Sequence, residues 1–119
     1  MKTSELSGPA LDWAVAKCEG IKVITVKGGR ATFSDPADDG ALNEMPINYS
    51  TDWSQGGPII EREGIALQRG QDGLWWARIP PEHFKPQILT AAPTPLVAAM
   101  RCYVASKLGD EIEIPEEFN

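Results

Sequence analysis

The chain has 119 residues and a formal charge of −6, from 17 acidic and 11 basic side chains. This length is typical of a single domain, here residues 1–119, whose hydrophobic core closes without disulfides or metal. The acidic balance argues against direct nucleic-acid binding, which requires a basic face. The longest apolar run, residues 96–100, is far shorter than the ~20 residues that cross a membrane, and the first residues lack the pattern of a signal peptide. We therefore expect a cytoplasmic protein with no membrane association and with reduced thiols at Cys18 and Cys102.

The first part of the chain predicts a helix followed by a β-hairpin. A proline at the first helical position and Gly20 after the last one delimit a helix over residues 9–19. A β-branched run over residues 21–27 is typical of a strand. Gly28-Gly29 then predicts a tight turn, because both central residues of the favoured hairpin turn need positive φ. The return strand is predicted over residues 30–33.

The middle of the chain is predicted to be irregular. Residues 34–48 contain two prolines and a glycine among acidic and small residues, which indicates a loop. Gly56, Gly57 and Pro58 predict a turn into a short helix over residues 58–63. Consecutive glycine N–H groups before a helix can also bind an anion, although the Lys and the Ser or Thr of a phosphate loop are missing. Both explanations of these glycines stay open.

A second hairpin is predicted from residues 65–69 and 74–79, with the loop 70–73 between them. A two-residue turn and a four-residue loop give the same orientation of the side chains, because side chains alternate along a strand. Either loop places Trp76 in the core and Trp75 on the opposite face. Pro80-Pro81 ends the second strand, and the polar-to-apolar residues 82–92 are predicted to be a connector.

The strongest helix signal lies near the C terminus. Thr94 is a suitable N-cap, and Gly109 follows the last helical residue. The helix is apolar or small on nearly all sides, which is typical of a buried central element. Residues 110–119 form an acidic tail. The predicted fold is α+β: two β-hairpins form one antiparallel sheet against two main helices, and the long C-terminal helix is central.

Three stretches of the chain carry a resemblance to a known family. They are residues 11–17 (LDWAVAK), 50–62 (STDWSQGGPIIER) and 93–111 (PTPLVAAMRCYVASKLGDE). In this combination and order, the chain resembles the NinX-like family of small phage and prophage proteins. The resemblance implies a phage-encoded accessory protein in the cytoplasm of a bacterial host. It supplies no catalytic residues that could be transferred to this sequence.

The tryptophans are the best candidates for a binding surface. Trp13 and Trp75 point away from the apolar side of their own elements, and tryptophan is enriched at protein interfaces. The alternative is that residues 34–48 simply cover them. We predict a non-enzymatic module that binds an unknown phage or host protein, or a second copy of the chain. No catalytic residue, metal ligand or cofactor is predicted, and the candidate binding residues are Trp13, Asp52, Trp53, Gly56, Gly57 and Trp75.

Two other functions stay open. Asp52, Glu61 and Glu63 could form an acidic cluster around the glycine turn, as a hydrolase or a magnesium site would need. A small hydrolase or nucleotide-processing enzyme would then use Asp52, Glu61 and His83. The structural alternative is that Asp52 caps a turn and Glu61 lies in the first turn of a helix. The acid-rich part of the tail, residues 110–117, could instead belong to an inhibitor that occupies the nucleic-acid site of a host enzyme.

Overall fold

The computed structural model describes the backbone of residues 1–21, 24–27, 30–36, 42–79 and 88–115, and the side chains of residues 1–21, 47–79 and 88–115. In these ranges the chain forms three α-helices and six strands after a short 3₁₀ turn, Thr3–Glu5. In chain order they are α1 (Gly8–Cys18), β1 (Ile24–Lys27), β2 (Arg30–Pro36), β3 (Leu42–Pro46), α2 (Trp53–Glu63), β4 (Ala66–Arg69), β5 (Trp75–Ile79), β6 (Ile88–Ala92) and α3 (Pro95–Leu108).

The strands form two antiparallel sheets of three strands each, in the orders β1-β2-β3 and β4-β5-β6. The α+β class is therefore confirmed, and so is each predicted hairpin, although the turn at Gly28-Gly29 lies outside the described residues. The prediction that both hairpins share one sheet is wrong. Each hairpin instead acquires its own third strand, which pairs with backbone groups that an isolated hairpin would leave open.

The third strands come from segments that were predicted to be irregular. The loop prediction for residues 34–48 is wrong where β2 extends to Pro36 and where β3 forms. Pro36 and Pro46 both stand at strand ends, where a missing N–H interrupts no interior pairing. The predicted connector likewise contains β6. Prolines therefore mark strand ends in this chain as well as loops.

Helix α3 is the central element, as predicted. The Thr94 hydroxyl accepts a hydrogen bond from the Val97 N–H at 3.2 Å, so the N-cap is confirmed. Strand β6 packs closely on the side of α3 that carries small residues: the Thr90 hydroxyl donates to the Ala98 carbonyl at 2.7 Å, and the Cys102 sulfur lies 3.4 Å from the Ile88 carbonyl oxygen. Strand β6 of the same chain therefore covers the small residues of α3.

The two ends of the chain are joined beside α3. The Thr3 N–H donates to the Asp110 carbonyl at 2.8 Å, and Lys2 forms a β-bridge with Glu111. The Arg101 guanidinium donates to the carbonyls of Leu6 and Ala91 at 2.6 and 2.8 Å, which fixes the N-terminal segment to the second sheet. The first residues of the predicted acidic tail are thus part of the folded structure.

The loop of the β4–β5 hairpin reverses the predicted orientation of two tryptophans. The Gly70 N–H donates to the Leu74 carbonyl at 2.8 Å, which leaves the three-residue loop 71–73, with Gly73 at a φ of +83°. An odd-numbered loop exchanges the two faces of one strand relative to an even-numbered one. Trp75 therefore packs against the core and Trp76 lies on the outer face, so the prediction for this pair is wrong.

Candidate functional site

A surface pocket forms where the start of α2 meets the start of α3. Its volume is about 260 Å³. Trp53, the first residue of α2, stands at its edge with 53% of its surface exposed, whereas Trp13, Trp75 and Trp76 are half-buried. We call this the Trp53 pocket. Its lining residues are Ser50, Thr51, Trp53, Thr94, Pro95, Leu96 and Val97.

Asp52 positions Trp53 by capping α2. Its carboxylate accepts hydrogen bonds from the backbone N–H and the hydroxyl of Ser54, at 2.9 and 2.6 Å. These bonds hold the pKa of Asp52 below its ordinary value. The capping explanation of Asp52 is thus correct, and α2 starts five residues earlier than the predicted residue 58. Trp53 becomes the first helical residue and points into solvent.

Gly56 and Gly57 lie inside α2 and do not form a turn. The Gly56 N–H donates to the Asp52 carbonyl at 2.9 Å, so it is not available to an anion. A β-carbon on Gly56 would lie 2.5 Å from the Tyr49 carbonyl oxygen and 2.6 Å from a methyl carbon of Leu96. The turn prediction is wrong, because the glycine at position 56 is needed for close contact between α2 and α3. That contact brings Leu96 into the Trp53 pocket.

A buried polar contact holds the inner side of the pocket. The Ser50 N–H donates to the Asp12 carboxylate at 2.8 Å, and both residues are at least 96% buried. Within the part of the chain that the structure describes, the Ser50 hydroxyl has no hydrogen-bond partner. The contact connects α1 to the turn that precedes α2. In the sequence, Asp12 stands out because it is a carboxylate within a predicted helix, next to the apolar residue Leu11.

The candidate tryptophans are not brought together. Trp13 packs against buried residues of α1 and against Ile47, with the Lys17 ammonium 5.5 Å from its ring centre. Trp75 packs against the main core. Neither side chain lines the Trp53 pocket. Of the six candidate binding residues, only Trp53 lines the pocket directly, while Asp52 and Gly56 determine its geometry.

The proposed acidic cluster does not form. Asp52 and Glu61 are nine residues apart on α2, which corresponds to roughly 13 Å along the helix axis. Glu63 is bound by Arg62 at 2.9 Å and by Lys107 at 3.3 Å. His83 lies outside the described residues, and within residues 1–21, 47–79 and 88–115 no three His, Cys, Asp or Glu side chains could hold a metal ion.

A charged network that the sequence did not predict joins the C-terminal ends of α1 and α2 to Tyr103 in the interior of α3. Arg62 donates to both carboxylate oxygens of Glu19, at 3.1 and 2.7 Å, and to the Tyr103 hydroxyl at 3.2 Å. The Tyr103 hydroxyl itself donates to Glu19. The Arg62 hydrogen bonds hold the pKa of Glu19 below its ordinary value, and burial raises that of Tyr103. Because these groups satisfy one another, the network stabilises the helix packing.

The fold and the pocket together define the class of protein. It is a small α+β protein whose candidate site is an open surface pocket beside an exposed tryptophan. In the part that the structure describes, no helix is long and apolar enough to cross a membrane.

The comparison with known families identifies the particular group. The family model described as Bacteriophage P22, NinX matches residues 2–107, so the chain belongs to this family. The resemblance noted in the sequence is confirmed, and the protein is a phage-encoded accessory protein. No curated protein matches the chain.

Proposed function

We propose that this phage protein is a non-enzymatic module that binds a phage or host protein in the bacterial cytoplasm, with Trp53 as its anchor. The observation that supports this most directly is the exposure of Trp53 beside an apolar pocket. Tryptophan is the residue type most enriched among those that dominate binding energy at protein interfaces. An exposed tryptophan that contributes little to its own core is therefore available to a partner.

The pocket suits a protein side chain better than a whole small molecule. Its volume of about 260 Å³ lies below the roughly 300–1,000 Å³ of small-molecule sites. Pro95, Leu96 and Val97 supply an apolar wall. A partner could insert one apolar side chain against this wall while its surrounding surface covers the Trp53 ring.

The anchor is held in place before a partner arrives. The Asp52 cap fixes the first turn of α2, and the contact of Gly56 with Tyr49 and Leu96 fixes the helix against α3. A rigid anchor loses less conformational entropy on binding than a flexible one. This arrangement favours specific binding through a small surface.

The test is the capture of partners from infected host cells by the intact protein and by Trp53→Ala. Leu108→Ala is the matched control, because Leu108 is also an exposed apolar residue (42%) but does not line the pocket. We expect a protein captured by the intact chain and by Leu108→Ala to be lost with Trp53→Ala. With that partner purified, Trp53→Ala should weaken binding by about 2 kcal/mol, or roughly 30-fold.

The same variants test whether the partner is a second copy. If it is, sedimentation of the pure protein shows association that Trp53→Ala abolishes. A partner that is captured equally well by Trp53→Ala would refute the assignment of Trp53 as anchor.

A further inference from the structure

The second sheet has an outer face, opposite α3, that carries a larger cavity than the Trp53 pocket. Strand pairing places side chains on this face in two rows, Ala66–Arg78–Leu89 and Gln68–Trp76–Ala91. The alanines leave space between the larger side chains. The cavity has a volume of about 490 Å³ and is lined by Ala66, Leu67, Gln68, Gly70, Trp76, Arg78 and Leu89. This volume lies within the roughly 300–1,000 Å³ of small-molecule sites.

One wall of the cavity is an aromatic ring in a fixed orientation. The Trp76 indole N–H points to the Asp72 carboxylate, 3.3 and 3.4 Å from its two oxygens. The same carboxylate accepts the Leu74 N–H at 3.0 Å, so the hairpin loop holds it in place. A β-carbon on Gly70 would lie 2.7 Å from the indole nitrogen. Because Gly70 has no side chain, the backbone of the loop can pack directly against one side of the Trp76 ring.

A second wall carries the positive charge of Arg78. Arg78 is exposed, and within the described residues its guanidinium has no hydrogen bond or ion pair. It lies two residues from Trp76 on the same face, a spacing of roughly 7 Å along a strand. A guanidinium recognises carboxylates and phosphates through paired hydrogen bonds. The amide of Gln68, opposite Trp76 on β4, adds a neutral donor and acceptor.

We propose that this cavity binds a small molecule with a planar ring and one anionic group, either a phosphate monoester or a carboxylate. The ring would stack on Trp76, and the anion would contact Arg78. The chain's net charge of −6 and the acidic residues Asp110 and Glu111 on the far side of Leu89 disfavour a polyanion such as nucleic acid. The site is separate from the Trp53 pocket and does not depend on the proposed partner.

The test follows the four tryptophan indole N–H signals of the ¹⁵N-labelled protein by NMR, with Trp76→Phe assigning the signal of Trp76. The probes are adenosine monophosphate, phenylacetate and uncharged adenosine. We expect at least one anionic probe to shift the Trp76 signal. Arg78→Gln should weaken that binding about five- to tenfold, as expected for a charge-assisted contact at an exposed site. Arg69→Gln removes the same charge outside the cavity and should leave the affinity unchanged.

The outcomes discriminate between the sources of the anion. A shift with adenosine monophosphate alone identifies a phosphate site, and a shift with phenylacetate alone identifies a carboxylate site. The proposal is overturned if neither anion shifts the signal at millimolar concentration, if adenosine binds as well as its monophosphate, or if Arg69→Gln and Arg78→Gln act equally. It is also overturned if the Trp76 signal moves with protein concentration alone, because a second copy would then cover the cavity. Trp53→Ala should bind the probe normally whatever its effect on partner capture.

Discussion

Replacing Gly56 by Ala tests the contact between α2 and α3 most directly. Gly56 is buried in the interior of α2, where alanine normally stabilises a helix by about 1 kcal/mol relative to glycine. At this position the new methyl group would lie 2.5 Å from the Tyr49 carbonyl oxygen and 2.6 Å from a Leu96 methyl carbon. The Leu96 side chain can rotate away, but the Tyr49 oxygen belongs to the backbone. The turn at residues 48–51 or the whole of α2 would therefore have to move.

The expected effect is the difference between these two terms. Overpacking of a well-packed site raises the free energy by about 1–3 kcal/mol, and a clash with backbone belongs at the upper end. Allowing for the helix propensity of alanine, Gly56→Ala should lower the free energy of unfolding by about 1–2 kcal/mol. For 119 residues the unfolding entropy is roughly 0.25 kcal/mol/K, so that loss lowers the melting temperature by roughly 4–8 °C.

Gly57→Ala is the matched control. Its β-carbon would meet only a Trp53 ring carbon at 3.8 Å, an ordinary contact. The gain in helix propensity is partly offset because Pro58 disfavours helical geometry in a preceding residue that carries a β-carbon. We expect a change of less than about 0.5 kcal/mol in urea denaturation. If Gly56→Ala proves as stable as Gly57→Ala, the close packing of Gly56 against Tyr49 and Leu96 is refuted.

Three further predictions are tested by urea denaturation or by thiol labelling. Trp75→Ala should lower the free energy of unfolding by about 2–3 kcal/mol because Trp75 packs on the core. Trp53→Ala should change it by less than about 0.5 kcal/mol because Trp53 is exposed. Equal losses in the two variants would contradict the strand register. Glu19→Gln should remove about 1 kcal/mol at pH 7. Arg62 lowers the pKa of Glu19 in the native state from its ordinary value of 4.5. The contribution of Glu19 to stability is therefore present above pH 4.5 and is lost as the pH falls through the native pKa. The stabilities of the intact protein and of Glu19→Gln should converge in acid, and a gap that stays constant with pH would contradict this. Burial raises the pKa of the Cys18 and Cys102 thiols to about 11, so only about one thiol in 10⁴ is ionised at pH 7. A disulfide reagent should therefore label the fully buried Cys102 only after unfolding in urea, and the half-buried Cys18 more slowly than a free thiol. Rapid labelling of Cys102 in the native protein would refute its burial.

Local sequence signals determined the two helices α1 and α3 together with their ends. Helix α3 has its Thr94 cap and a following glycine, and α1 agrees with its prediction to within one residue at each end. The apolar and small composition of α3 also indicated its central position. These signals act through backbone geometry within a few residues, so they do not depend on the rest of the fold. The three stretches that resemble the family were likewise sufficient to identify it.

The tertiary structure decided everything that depends on the position of one residue relative to a distant one. Gly56, Gly57 and Pro58 have the composition of a turn, but packing on Leu96 overrides their weak helix propensity and places them inside α2. Changing the length of the β4–β5 loop by one residue changes which tryptophan faces the core, and composition alone does not determine the loop length. The network of Glu19, Arg62 and Tyr103 joins residues up to 84 positions apart. The sequence therefore determined α1, α3 and the family, whereas the register of the strands and the packing of α2 on α3 determined which aromatic side chains are available for binding.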